Sequence, residues 1–170
     1  MENDNQKALD EESWTFGDEV LVEKYVSGRE LTVAILDGKA QAVTEIIAKT
    51  KFFDYEAKYE DQTTEYIMPA KIPETTTNLA LEYAERLYTL LGCKGLARCD
   101  FRYDESQGEK ALFLLEINTQ PGCTPESIGP SQVIYNGTSF VALCAHLIET
   151  ASCQRNEVKL SQKDENRLSA

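Results

Sequence analysis

Three oxygen-bearing side chains that suit a hard metal ion lie on two short apolar stretches, each of which predicts a strand. Asp100 lies in GLARCDFRY, and Glu116 and Asn118 lie in LFLLEINTQPGCTPES. Successive side chains of a strand alternate between faces, so Glu116 shares a face with Asn118, and Asp100 shares one with Arg98 and Arg102. A hairpin loop at DESQGE would set Asp100 against the other two oxygens. Oxygen ligands without sulfur or imidazole suit Mg²⁺ or Mn²⁺.

The spacing alone leaves a second interpretation open, which is a solvated sheet face of mixed charge that binds nothing. The longer phrase is more specific than the spacing. RCDF followed by LLEINTQPGCTPES resembles the C-terminal signature of the D-alanine–D-alanine ligases, an ATP-grasp family. The resemblance implies that Asp100, Glu116 and Asn118 hold Mg²⁺ or Mn²⁺ ions that bridge the phosphates of ATP.

The bulk properties are those of an ordinary globular protein with an acidic surface. The chain has 170 residues, 42% hydrophobic and 27% charged, and a formal net charge of −12. This charge argues against nucleic-acid and anionic-membrane partners. No signal peptide or membrane-spanning run is visible, which predicts a cytoplasmic protein. The five cysteines are odd in number and form no CxxC pair, which predicts reduced thiols. The single histidine, His146, is predicted to lie off the apolar face of the last helix, in solvent.

The periodicity of apolar residues predicts a series of strands and two helices. Residues 20–26 predict a strand, Ser27-Gly28 a turn, residues 31–35 a second strand and residues 42–48 a third. LALEYAERLYTLLG predicts a helix with its N-cap among Thr75–Thr77, a buried face that reaches Leu91, and a stop at Gly92. TSFVALCAHLIETA predicts the last helix, with Ile148 on its apolar face.

The predicted fold class is α+β. The resemblance makes it the C-terminal subdomain of an ATP-grasp fold, a mainly antiparallel sheet flanked by helices with the N-terminal parts of the family fold missing. Three regions follow: residues 1–18 are a helical or partly disordered lead-in, residues 19–152 form the ligase domain, and residues 153–170 form a polar tail.

The stretch EVLVEKYVSGRE has two interpretations. Its pattern alone is satisfied by an ordinary hairpin of mixed exposure. The resemblance implies an adenosine pocket, in which Glu23, Lys24 and the backbone of Val26 contact adenine and Glu30 accepts hydrogen bonds from the ribose hydroxyls.

The segment KTKFFDYEAKYEDQTTEYIMPA is long, polar and rich in aromatic residues, which favours an ordered loop that closes over a ligand. FFDYEAKY resembles the family's phosphate-covering loop. The resemblance implies that Lys58 contacts the transferring phosphate and that Tyr59 closes the substrate side. From the residues alone, a solvated surface amine is the preferred interpretation of Lys58.

The sequence PGCTPES is explained adequately by turn formation. By resemblance, the N–H of Gly122 and the side chain of Arg98 form an oxyanion site, and Ser127 binds the carboxylate of a second D-alanine. Cys123 and Gln120 depart from the family pattern, which often has Met and a small or apolar residue there. Neither departure removes a candidate ligand.

The resemblance covers residues 5–152 and implies ATP- and Mg²⁺-dependent ligation of two D-alanines for peptidoglycan synthesis, through an acyl phosphate. The expected ligands are ATP and D-alanine. The expected protein partner is either the missing N-terminal half as a separate chain or a second copy of this chain. The alternatives are a split-gene half, a truncated remnant, a fragment of a longer ligase, a non-catalytic nucleotide-binding or interaction module, or another ATP-grasp carboxylate–amine ligase. The chain alone is expected to be inactive.

Overall fold

A computed structural model describes residues 21–47 and 64–152. The predicted lead-in (1–18), the start of the first predicted strand at Val20, the greater part of the aromatic loop and the polar tail (153–170) lie outside the described residues.

A five-stranded sheet forms the centre of the described part of the chain. Its spatial order is β3-β2-β1-β4-β5, and every neighbouring pair is antiparallel. The central strand β1 therefore pairs with β2 on one side and with β4 on the other. The strands are β1 (Arg29–Leu36), β2 (Lys39–Ile47), β3 (Glu65–Ile67), β4 (Leu96–Tyr103) and β5 (Leu112–Asn118).

Three helices cover the two faces of this sheet, which confirms the α+β class: α1 (Glu74–Leu90), α2 (Ile128–Tyr135) and α3 (Phe140–Thr150). None of the helices among the described residues has the length and apolarity to span a bilayer. On one face, α1 buries Ala80, Ala84 and Tyr88 against Leu31, Val33, Ile35 and Phe101 of the sheet. On the other face, Val133 of α2 and Leu143 of α3 pack against Ala34 and Leu96.

The central strand is consequently buried on both faces. Every residue from Leu31 to Ile35 has 0% relative exposure. A strand covered on both faces is an unbroken apolar run rather than an alternating pattern, which is why LTVAIL contains a single polar side chain. The mixed-exposure hairpin is therefore wrong for this strand.

Two glycines fix the ends of β1. Gly28 has φ +117°, and a Cβ placed there would lie 2.2 Å from the carbonyl oxygen of Tyr103, so any side chain would clash with the β4 backbone. At the other end, Asp37 (φ 47°) and Gly38 (φ 84°) both adopt positive φ in the two-residue connection to β2. Positive φ at both central residues is the type I′ geometry of tight hairpins.

Several predicted elements differ from the structure. Residues 21–26 form no strand, and Leu21 and Val22 are 86% and 83% exposed, because no described strand lies beside them to pair with their backbone. Strand β3 and helix α2 were not predicted. The strand has only three residues, and the helix is short and begins with Ile-Gly-Pro, which carries no amphipathic signal.

The helix boundaries and buried faces also differ from those predicted. Helix α1 starts at Glu74 after Pro73, without a side-chain cap, and the buried Thr76 hydroxyl instead donates to the carbonyl oxygen of Glu109. Gly92 (φ 63°) follows the end of α1 as predicted, but Leu91 is exposed because it lies past the last helical turn. Ile148 of α3 is exposed as well, because α3 packs on the core through Leu143 and Leu147 instead.

The side chain of Gln132 extends from α2 into the centre of the sheet and is 0% exposed. The pairing of β1 with β2 breaks register between Val33 and Ile35. At this break the Gln132 Oε1 accepts from the N–H of Ala34 (2.7 Å), and its Nε2 donates to the carbonyl of Thr32 (3.1 Å) and the Thr44 hydroxyl (2.9 Å). The amide therefore takes the place of a peptide group of β2 and fastens α2 to β1.

We expect Gln132→Leu to lower the free energy of unfolding by about 3 kcal/mol, because the apolar side chain leaves three buried polar groups without a partner. Urea unfolding of the whole chain measures this loss. The control is Gln41→Leu, the same change at a glutamine whose amide bonds at the surface to the Lys39 carbonyl. Equal losses of unfolding free energy in the two variants would show that the buried amide of Gln132 stabilises the fold no more than a surface amide does.

Candidate functional site

Four side chains form a polar row across the sheet, on the face that carries α2. Thr44 of β2 is paired with Thr32 of β1, Thr32 with Asp100 of β4, and Asp100 with Glu116 of β5. Residues directly paired on antiparallel strands present their side chains on the same face. The predicted hairpin therefore exists, and it sets Asp100 directly against Glu116.

Asn118 and Arg98 form the neighbouring cross-strand pair. The Asn118 Oδ1 accepts from the backbone N–H of Gln120 at 2.9 Å, which starts the turn after β5. The three predicted metal ligands thus lie on adjacent positions of two neighbouring strands. The pairing brings them to one end of β5, as the sequence predicted.

The carboxylate of Asp100 is already held by two partners. Arg98 forms a bidentate pair with it, donating from Nε to Oδ1 (2.9 Å) and from Nη2 to Oδ2 (2.8 Å). The Thr32 hydroxyl donates to Oδ1 at 2.6 Å. Asp100 is 8% exposed, so its negative charge is largely removed from water and needs this compensation.

The donor set fits a hard divalent cation. The described residues contain no cluster of three or more His, Cys, Asp or Glu side chains suited to a metal, and the predicted set has only two carboxylates and one amide. Mg²⁺ is commonly held by one or two carboxylates together with phosphate oxygens and water. Asp100 and Glu116 would provide the carboxylates, with Asn118 contributing its amide oxygen.

Arg102 organises the part of the site predicted to hold adenosine. Its Nη2 lies 3.3 Å from Oε2 of Glu30, and its Nη1 donates to the Gly28 carbonyl at 3.1 Å. The guanidinium also lies over the ring of Tyr25, 6.0 Å from the centroid. Arg102 therefore attaches the irregular segment 21–27 to the end of β1 where Glu30 lies.

The predicted adenine contacts all lie in that irregular segment. Glu23 and Lys24 are exposed and Val26 is half-buried. This segment lies beside Glu30. Among the described residues, however, it forms no strand edge with which an adenine ring could pair. Lys58 and Tyr59 lie outside the described residues.

The turn after β5 brings Gly122 against Ser127. A Cβ at Gly122 would lie 3.0 Å from the Ser127 Oγ, so any larger residue would require the Ser127 side chain to shift by a few tenths of an ångström. Ser127 is the residue before α2, and its Oγ accepts from the N–H of Thr124 at 3.0 Å. The predicted substrate-binding pair is therefore together, at the start of the helix that Gln132 fastens to the sheet.

Two cysteines lie close to the site. Cys99 neighbours Asp100 on β4 but faces α1, and burial, followed by the charge of Asp100, raises the pKa of its thiol to about 12. Cys123 follows Gly122 and is exposed, although partial burial and then the nearby Cys144 raise the pKa of its thiol. Both shifts disfavour the thiolate, so neither group is suited to act as a nucleophile near neutral pH.

His146 is not simply solvated, as the sequence suggested. Its Nε2 contacts the Asp37 carboxylate in the β1–β2 turn, which also accepts from the N–H of Gly95 at 3.2 Å. The side chain of His146 is 41% exposed, so the contact lies at the surface. This pair joins α3 to the turn, far from the polar row, and gives the histidine a structural role.

Thr32 is the site residue that the sequence analysis missed. It is the only polar side chain in the apolar run LTVAIL. That isolated hydroxyl was the available signal, because a fully buried strand accepts a polar side chain only where a partner satisfies it.

Residues 2–149 match the family described as "D-ala D-ala ligase C-terminus". The chain belongs to the D-alanine–D-alanine ligase family. The D-alanine–D-alanine ligase of Granulibacter bethesdensis is 44% identical over 154 residues, which are 90% of this chain and 50% of that protein. The corresponding ligase of Ruegeria pomeroyi is 48% identical over 136 residues, 80% of this chain and 44% of its own length.

Solved structures of the D-alanine–D-alanine ligase family share this fold. The D-alanine–D-alanine ligase of Bacillus anthracis, complexed with ATP, has a TM-score of 0.61 and 26% identity, with coverage of 75% of this chain and 39% of that one. The VanG D-Ala:D-Ser ligase of Enterococcus faecalis has a TM-score of 0.61 and 32% identity, over 74% and 37% of the two chains. The described fold is therefore the C-terminal part of an ATP-grasp ligase. This chain spans about half the length of the curated relatives it matches.

We expect Asp100→Asn and Glu116→Gln each to weaken Mg²⁺-dependent binding of ADP by about tenfold or more, because each removes one negatively charged ligand while it preserves shape. Calorimetric titration of the chain with ADP in the presence and absence of Mg²⁺ measures this. The control, Glu82→Gln, changes an exposed carboxylate of α1. Unchanged Mg²⁺ dependence in both site variants would remove these residues from the metal site.

Proposed function

We propose that this chain supplies the C-terminal half of an ATP-dependent ligase that joins two D-alanines. One observation carries the proposal: the end of β5 brings the pair Asp100 and Glu116 together with Asn118, and the chain then turns directly into the close contact between Gly122 and Ser127. Groups that suit metal–phosphate binding and groups that suit substrate binding thus lie on two adjacent strands and the turn that follows β5.

The proposed reaction has two steps. The carboxylate of the first D-alanine attacks the γ-phosphorus of ATP, the bond to the bridging oxygen breaks, and ADP leaves. The amine of the second D-alanine then attacks the acyl carbon, phosphate leaves, and the amine loses a proton. The nucleophiles belong to the substrates, so the chain contributes positioning and charge stabilisation. When bound, Mg²⁺ neutralises the phosphate charge.

Arg98 is the proposed stabiliser of the oxyanion that forms in the second step, together with the N–H of Gly122. Its guanidinium now bonds to Asp100, whose charge a bound cation would neutralise in its place. With Asp100 held in that way, Arg98 would release it and turn toward the substrate. The hydroxyl of Ser127, proposed to bind the second substrate's carboxylate, lies on the same turn as Gly122.

The proposed adenosine contacts are Glu23, Lys24, the Val26 backbone and Glu30, with Lys58 on the transferring phosphate and Tyr59 on the substrate side. Relatives are about twice as long as this chain. The other half of such a ligase would supply the remaining contacts to the phosphates and the first D-alanine. We therefore propose that catalysis requires that half.

We expect Lys58→Ala to lower turnover by about a hundredfold in the chain complemented with the N-terminal half of the Granulibacter bethesdensis relative, because a positive charge beside the transferring phosphoryl group acts mainly in the transition state. Its melting temperature should change little. Lys39→Ala, at an exposed position of β2, is the control. Near-normal turnover with a lowered melting temperature would instead make Lys58 a structural residue.

We expect the chain alone to release no phosphate from ATP in the presence of Mg²⁺ and D-alanine, and to become active when the complementary half is added. A coupled phosphate assay measures both conditions, and product analysis identifies the dipeptide. D-serine is tested as second substrate, because VanG, which shares this fold, is a D-Ala:D-Ser ligase. D-alanine-dependent turnover by the chain alone would contradict the expectation, and nucleotide binding without turnover after complementation would favour a non-catalytic remnant.

A further inference from the structure

The hydroxyl of Thr32 is placed so that it can orient Asp100. The residue is 0% exposed, and its Oγ1 lies 2.6 Å from Oδ1 of Asp100 and 3.2 Å from the carbonyl oxygen of Cys99. A hydroxyl carries one proton. The shorter distance and the charge of the acceptor assign that proton to Asp100, because hydrogen bonds to ionised groups are shorter and stronger than neutral ones.

The position of this hydroxyl is fixed from three sides. Thr32 is paired with Thr44 on one side and Asp100 on the other, and its carbonyl accepts from the Gln132 amide. A β-branched side chain has few accessible χ1 rotamers. The hydroxyl therefore has little freedom to move away from Asp100.

Arg98, the other partner of Asp100, holds it in a different way. Its guanidinium lies at the end of a long side chain with several rotatable bonds, and its two bonds to Asp100 come from its own strand, two residues away. An arginine that is to contact a substrate must give up these bonds, whereas a buried threonine on the central strand keeps its contact. One oxygen of Asp100 would then remain oriented throughout the reaction.

We propose that Thr32 is a positioning residue that keeps the Asp100 carboxylate oriented for a divalent cation, so that Arg98 can leave this carboxylate without misplacing it. The inference rests on the proposed function, because it assumes that Asp100 serves as a metal ligand. Thr32 itself contacts neither cation nor substrate. Its effect is exerted through the direction in which Oδ2 of Asp100 points.

The test compares three variants of the full chain. Thr32→Val removes the hydroxyl at nearly constant volume, and Thr32→Ser restores it. Thr44→Val makes the same change at the next position of the polar row, where the side chain is 2% exposed and bonds to Gln132 rather than to Asp100. Each variant is titrated with Mn²⁺ in the presence of ADP, and free Mn²⁺ is measured by electron paramagnetic resonance.

We expect Thr32→Val to weaken Mn²⁺ binding by about tenfold, the effect of losing one charge-assisted hydrogen bond. Thr32→Ser should recover most of that loss, and Thr44→Val should stay within about twofold of the wild type. Equal weakening by Thr32→Val and Thr44→Val, or no recovery with serine, would overturn the proposal, because a general loss of packing would then explain the result.

A second measurement separates this proposal from the proposed function. Melting temperatures are determined for Asp100→Asn in the wild-type, Thr32→Val and Thr44→Val backgrounds. We expect a smaller effect of Asp100→Asn in the Thr32→Val background only, because the two groups interact directly. If the wild-type chain binds no Mn²⁺ but shows this coupling, the metal site and the role of Thr32 in it are overturned. The hydrogen bond between Thr32 and Asp100 is then still supported. Absence of coupling would overturn the contact.

Discussion

The amide of Gln132 bonds to the edge of β1 where β1 and β2 lose register, and the geometry of the site depends on this interaction. It satisfies the N–H of Ala34 and the carbonyl of Thr32 in a region without access to water. Leaving such groups unpaired is costly, so α2 has one well-defined position against the sheet. Because α2 begins directly after Ser127, the same interaction sets where the turn that contains Gly122 lies relative to the polar row.

Electrostatics explains the arrangement of charges around that row. Two carboxylates face each other on β4 and β5 in a chain whose net charge is already −12. Glu116 is exposed, so water screens part of their repulsion, whereas Arg98 balances the charge of the buried Asp100. A divalent cation would relieve the repulsion for both. Arg98 thus balances the charge of Asp100 in the structure, and a cation at the proposed metal site would balance it instead.

The sequence predicted the parts of this site that depend on local rules. Alternation along β5 and a polar loop after β4 were enough to place Asp100 against Glu116 and Asn118. The parts that depend on distant contacts were missed. Helix α2 has no amphipathic pattern because its anchor is a polar side chain, and residues 21–26 have apolar residues but no described neighbouring strand. The interaction of Thr32 with Asp100 required the order of the strands, which periodicity does not provide.

The order β3-β2-β1-β4-β5 has a consequence for how the chain reaches its native state. β1 with β2, and β4 with β5, are local hairpins that can form quickly on their own. Their union through β1 and β4 joins segments separated by the whole of α1, and the Gln132 side chain bonds to Ala34 across 98 positions of the sequence. Closing such loops is the slow, entropically opposed part of folding. The two halves of the site therefore come together only when β1 pairs with β4, so most of this sequence must leave the ribosome before the polar row can form.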